Sequence, residues 1–210
     1  MSLKIRTNDL LFQENIDNNL TRVLNNYINI LKKAKRINII SEAPTLTGKI
    51  LNDLFKIINI LPNCIELLCN NNNISYLPKL PKCEGLDCSD NNLIVLPELP
   101  KCKKLLCFNN KLIFLPNLDN CINLSCTNNC LTIIPKLPRC IWLECNNNKI
   151  EKLPLLLNCL DLNCSFNNLY NISLKQLKIC QNISFDNNPI LLHSKKFQIF
   201  EKYYYKNNTS

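Results

Sequence analysis

The sequence predicts a strand-dominated α/β solenoid: a curved parallel sheet on the concave side, an extended convex side, and a cap at each end. Three observations predict it. A frame, clearest in Leu77 to Leu96, recurs seven times between Leu61 and Asn188 with a period of 19 residues that widens to 21 at the last step. Cysteines keep the register, in a leading column Cys64, Cys83, Cys102, Cys121, Cys140, Cys159 and Cys180, and in a second column Cys69, Cys88, Cys107, Cys126, Cys145 and Cys164 that ends in Phe185. An asparagine stands three residues past every second-column position, at Asn72, Asn91, Asn110, Asn129, Asn148, Asn167 and Asn188.

Residues 1–60 are not repeated and predict a helical N-terminal cap with an atypical first repeat. Apolar residues from Asp17 to Lys35, including Leu20, Val23, Leu24, Tyr27, Ile28 and Leu31, recur at three- and four-residue steps, the spacing of an amphipathic helix. Lys32, Lys33, Lys35 and Arg36 crowd its end, where cations complement the helix dipole. Arg36 to Ser41 reads as a short strand with Ile37 and Ile39 inward, and Leu46 to Ile58 as a second helix. Repeats bury their apolar side only against neighbours, so a solenoid needs covered ends. Residues 189–210 predict the other cover, a short C-terminal helix from Ser194 to Tyr205 followed by a frayed tail.

Within residues 61–188, Cys-x-x-Leu-x-Cys alternates as a strand does, so Leu67 and Cys69 point in while Glu66, Leu68 and Asn70 point out. Stacking places Leu67, Leu86, Leu105, Leu124, Leu143, Leu162 and Ile183 in one inner column. A second inner column, Ile74, Leu93, Leu112, Leu131, Ile150, Leu169 and Ile190, follows the turn. Turning backbone leaves polar groups that must be paired, which an inward carboxamide can do for its own turn and for the next repeat, so the asparagines are expected to form a structural ladder. The return path reads Leu-Pro-x-Leu-Pro, as in Leu96 to Pro100, and proline there favours extended or polyproline backbone over helix. The chain holds only 2 Gly but 37 Asn, so asparagine is expected to supply the left-handed turns.

These residues resemble the leucine-rich repeat, Leu-x-x-Leu-x-Leu-x-x-Asn-x-Leu, with Cys in the first and third Leu positions. The doubled Leu-Pro resembles the short-repeat subclass of secreted bacterial effectors of the IpaH and YopM type, and the Asn, Ile and Lys bias is similar to that of leucine-rich-repeat proteins of giant amoeba-infecting viruses such as mimivirus. The resemblance implies a solenoid whose concave sheet binds another protein.

Chemistry is weakly signalled. Thirteen of 14 cysteines fill the two columns, with Cys130 outside, and they read as small core hydrophobes. Zinc would want a closed ligand set at closer spacing, and disulfides an oxidising compartment, whereas the N-terminus shows no secretory leader and no run is long enough to span a membrane. A soluble cytoplasmic protein is expected, in a host's cytoplasm if the chain is viral or an effector. The single histidine, His193, has no cysteine partner in pattern. Cys159-Leu160-Asp161 spells the Cys-x-Asp of the bacterial ligases, but Cys159 belongs to the ladder and the chain has no separate catalytic domain. No catalytic residue, metal or cofactor is expected, and the protein is expected not to be an enzyme.

Net charge is +9, yet residues 61–188 contribute only 12 basic against 10 acidic side chains. Phosphate tracking along the repeats is thus poorly supported. Nucleic-acid or anionic-surface binding stays the alternative, through the caps and the return-edge residues Lys79, Lys82, Lys101, Lys136 and Arg139. The leading expectation is a protein partner on the concave strands, centred on Lys104, Leu106, Phe108, Trp142 and Glu144, because an exposed tryptophan is the commonest interface hot spot. A further role for the N-terminal helices in recruiting other proteins has no motif behind it.

Overall fold

The computed structural model describes residues 2–7, 10–15, 20–41, 44–172 and 179–189. The segments β1 (Ser2–Thr7), β2 (Leu10–Asn15), α1 (Leu20–Lys33), β3 (Arg36–Ser41) and α2 (Pro44–Ile58) precede the repeats. Each repeat then adds three strand residues: β4 (Glu66–Leu68), β5 (Gly85–Asp87), β6 (Lys104–Leu106), β7 (Asn123–Ser125), β8 (Trp142–Glu144), β9 (Asp161–Asn163) and β10 (Asn182–Ser184). All ten strands form one sheet, in the order β10-β9-β8-β7-β6-β5-β4-β3-β1-β2.

Strand β3 pairs with β4 in parallel, Arg36 opposite Glu66 and Ile37 opposite Leu67, so the segment read as an atypical first repeat joins the ladder in register. The N-terminal cap is not only helical, as expected, but begins with a hairpin: β1 pairs antiparallel with both β2 and β3. The sequence hides this hairpin because its inward residues, such as Ile5 opposite Ile39, have no repeat to be read against. Tyr27, Leu31 and Ala34 of the α1 segment are buried, as are Ile50, Leu51, Leu54 and Phe55 of α2. The expected helix from 194 to 205, His193 and Ile190 lie outside the described residues.

The two inner cysteine columns are buried from Cys64 to Cys164, as is every residue of the Leu67 to Ile183 column. All 14 thiols are free. The leading column does more than fill space: Cys64, Cys83, Cys102, Cys121, Cys140 and Cys159 each donate Sγ–H to the carbonyl two residues on, at 3.1 to 3.4 Å. This satisfies a strand-end acceptor with a side chain no larger than the narrow core allows.

The asparagine ladder is present, with one correction to its direction. Asn91 Oδ1 accepts the amides of Asn72 and Ile74 at 3.1 and 2.9 Å, while Nδ2 donates to the carbonyls of Cys69, Cys88 and Ser89 at 3.0, 3.0 and 2.9 Å. The cross-repeat partners therefore lie in the preceding repeat, where the next one was expected. Asn110, Asn129, Asn148, Asn167 and Asn188 repeat the pattern. The widened last step leaves it intact, since Leu169 N–H still reaches Asn188 Oδ1 at 3.0 Å. In the sequence the two extra residues fall between Leu169 and Cys180.

At the first rung the ladder meets α2. Asn72 Nδ2 donates to Asn70 and Ile39 carbonyls, but its buried Oδ1 has no hydrogen-bond partner among the described residues. The helix comes very close here: a Cβ at Gly48 would stand 2.5 Å from the Asn73 carbonyl oxygen and 2.6 Å from that of Asn72. Gly→Ala inside a helix ordinarily stabilises by about 1 kcal/mol. Gly48→Ala is expected to destabilise instead, by about 2 kcal/mol or more, since backbone must retreat; urea unfolding gives the sign.

Each turn passes through a left-handed residue at the same frame position: Asn71, Asp90, Asn109, Asn128, Asn147, Phe166 and Asn187, with φ between 52° and 55°, and the first turn adds Asn73 at 54°. Asparagine and aspartate occupy six of the seven frame positions, as the composition predicts. Phe166 is the exception, a bulky residue in a conformation costing it about 1–2 kcal/mol. Phe166→Asn is expected to raise Tm by about 2–4 °C, read by calorimetry.

Candidate functional site

The outward positions of β4 to β10 form the one face on which the repeat frame makes no demand. Register aligns Glu66, Gly85, Lys104, Asn123, Trp142, Asp161 and Asn182 across it, and beside them Leu68, Asp87, Leu106, Ser125, Glu144, Asn163 and Ser184. The five residues expected to bind a partner fall on or next to β6 and β8, either side of β7. Lys104 is exposed, whereas Leu106, Phe108, Trp142 and Glu144 are half-buried. Lys104 and Trp142 do not adjoin: Asn123 stands between them, which separates their backbones by roughly 10 Å. Ser125 stands between Leu106 and Glu144 in register, is buried and donates Oγ–H to Glu144 Oε2 at 3.1 Å. Next along, Thr127 donates to Asn146 Oδ1 at 2.7 Å. These hydrogen bonds hold a low, continuous floor with Trp142 at one side.

The charge of this face opposes that of the chain. Glu66, Asp87, Glu144, Asp161 and Asp186 all point outward from the repeats, against Lys104 alone, although the chain carries +9. Glu66 is offset by Arg36 at 3.5 Å, an exposed pair of small energetic weight. Asp87 accepts the Ser89 hydroxyl at 2.7 Å, and Asp161 accepts an amide hydrogen of Asn182. The return-edge residues Lys79, Lys82, Lys101, Lys136 and Arg139 are exposed away from this face, and Lys82 Nζ lies 3.3 Å from Asn63 Oδ1.

The Cys-x-Asp cysteine is unsuited to catalysis. Cys159 is fully buried and donates to the Asp161 backbone carbonyl at 3.2 Å, so Cys-x-Asp here is ladder geometry. The neighbouring Cys140 thiol, together with burial, pushes the Cys159 thiol up to about 12, opposite to what a nucleophile needs. Burial raises Cys88, Cys107 and Cys145 likewise. Among the described residues no group of His, Cys, Asp or Glu is arranged to hold a metal ion, and no helix is long and apolar enough to cross a membrane.

Two surface features escaped the sequence reading. Ile94, Val95, Ile113, Phe114 and Ile133 form an exposed apolar stripe just past the second inner column, on positions read only as return path. It borders a recess of about 410 Å³ lined by Ile60, Tyr76, Leu80, Val95 and Pro97. The other is Phe166, whose side chain is 53% exposed. Its signal was available, since it is the one bulky residue in a column of Asn and Asp.

No protein-family model and no curated protein matches the chain. Solved structures do. YopM from Yersinia enterocolitica is similar at 25% identity and a TM-score of 0.53, over 81% of this chain and 42% of that one. The leucine-rich effector YopM from Yersinia pestis is similar at 22% identity and a TM-score of 0.54, over 80% of this chain and 60% of that one. This chain spans about half the length of the structures it matches. Parallel one-strand repeats in register, an inner asparagine ladder and these structural neighbours together establish that the chain has the fold of a leucine-rich-repeat solenoid.

Proposed function

We propose that this chain is a non-enzymatic scaffold that binds a partner protein on its concave sheet, with Lys104, Leu106, Phe108, Trp142 and Glu144 at the centre of the contact. One observation carries the reading. Where the frame dictates every inward residue, the outward columns of β6 to β8 present the chain's single tryptophan beside apolar and charged side chains on a floor fixed by Ser125 and Thr127. Leucine-rich-repeat folds lend themselves to such contacts, because stacked strands make an extended concave surface. Free thiols throughout suit a reducing cytoplasm, a host's if the chain is an effector or viral. A polyanion is disfavoured on this face by its five carboxylates.

Affinity capture comparing wild type, Trp142→Ala and the flank variant Ile113→Ser/Phe114→Ser tests the reading. Trp142→Ala is expected to keep the fold and lose partner affinity by about 30-fold, the equivalent of a hot spot of about 2 kcal/mol. The flank variant is expected to retain it. Loss by the flank variant with retention by Trp142→Ala overturns the concave reading, as does capture of salt-sensitive nucleic acid by both.

A further inference from the structure

We propose that the β8 to β10 part of this face takes an extended basic segment of the partner, rich in arginine or lysine, laid over β8 and β9 between Trp142 and the turn at Phe166. The inference rests on the concave-face reading above and specifies the chemistry of what binds there.

Glu144 and Asp161 stand on β8 and β9, and Asp186 two residues past β10, on this side. Among the described residues none of them has a cationic partner; the ion pairs of the repeat region, Arg36 with Glu66 and Lys103 with Glu84, lie elsewhere. Trp142 and Asp161 are directly opposed in register, about 4.8 Å apart between backbones. A guanidinium placed over the indole therefore reaches the neighbouring carboxylate, combining a cation–π contact with an ion pair. That juxtaposition binds a cation and offers nothing to a phosphate.

Phe166 closes the far side. Its amide donates to the Asp186 carbonyl at 2.8 Å and its carbonyl accepts the Asn148 amide at 3.2 Å, so the left-handed backbone is pinned while the ring faces solvent. A left-handed backbone carrying a half-exposed ring is the pattern of a residue kept for contact. Phe166 lies five residues past Asp161, at most about 15 Å along the strand direction, the reach of roughly five extended residues. The chain's overall charge of +9 repels a basic segment at long range, so selective binding of one has to come from this local strip.

Fluorescence anisotropy with dye-labelled peptides tests this, using an arginine–serine peptide, a glutamate–serine peptide of equal length and a single-stranded oligonucleotide. The arginine peptide is expected to bind the full chain more tightly than the other two, and less tightly as salt rises. Glu144→Gln/Asp161→Asn and Trp142→Ala are each expected to weaken it at least about tenfold, and Phe166→Asn several-fold, without loss of thermal stability. Glu84→Gln, off this face, is expected to change nothing. Equal binding of the two peptides, or undiminished binding by the double variant, overturns the inference. If the arginine peptide fails while protein capture still depends on Trp142, the concave reading stands and the basic segment falls; oligonucleotide binding indifferent to Trp142 overturns both.

Discussion

At about pH 10, with reductant present, the chain is expected to be unfolded, although it is folded at neutral pH. Burial raises eight core thiols, those of Cys69, Cys88, Cys102, Cys107, Cys121, Cys126, Cys145 and Cys164, and takes Cys121 and Cys164 to about 12. In the unfolded chain a thiol ionises near pH 8.5. Above that value the unfolded state releases protons that the native state still holds, so stability falls as pH rises. One unit above it, each thiol favours unfolding by roughly 1.4 kcal/mol. Eight together contribute about 11 kcal/mol, comparable to the entire stability of an ordinary domain. Circular dichroism across the alkaline range checks this, with a midpoint expected near pH 9.5 and an upward shift on replacing core cysteines by alanine or valine. A sheet that persists unchanged well above pH 10 contradicts it.

The largest single-residue effect is expected at Asn91. Its carboxamide makes five hydrogen bonds, two accepted and three donated, in a buried turn. Asn91→Ala leaves the amides of Asn72 and Ile74 without their side-chain acceptor and takes a donor from three carbonyls. An unsatisfied buried group costs about 1–3 kcal/mol, so a total of about 4 kcal/mol is a reasonable size. Asn72→Ala serves as the internal comparison. It removes two donated bonds and also an acceptor with no partner among the described residues, and is expected to cost less by at least about 1 kcal/mol. Equal costs from urea unfolding would mean that the ladder is not what the side-chain geometry shows.

The repeats were legible because their signal is redundant. A cysteine and a leucine recurring at fixed offsets define a strand register that any single rung would leave ambiguous. The N-terminal helices and β3 were legible from spacing alone. The β1–β2 hairpin was not, since two isolated six-residue strands carry no period longer than themselves and their partner, β3, lies beyond the first helix. At the candidate site the outward columns and Trp142 were legible from the repeat, but the patch drawn around Trp142 grouped it with Lys104, which is two strands away, whereas its register neighbours are Asn123 and Asp161. The acidity of the face was in those columns as well, masked by a net charge that comes mostly from outside the repeats. The direction of the asparagine bonds could not be read, because a carboxamide facing two turns has no sequence mark for which it serves.

Because Trp142 is the only tryptophan, its emission reports on the proposed contact alone. Titrating the intact protein with a captured partner, while following tryptophan fluorescence and an independent measure of binding, tests the central claim directly. The expected result is a blue shift or quench of Trp142 that saturates at the same Kd as the binding itself. Saturable binding with no change in Trp142 emission would place the partner on another surface and contradict the concave-face reading.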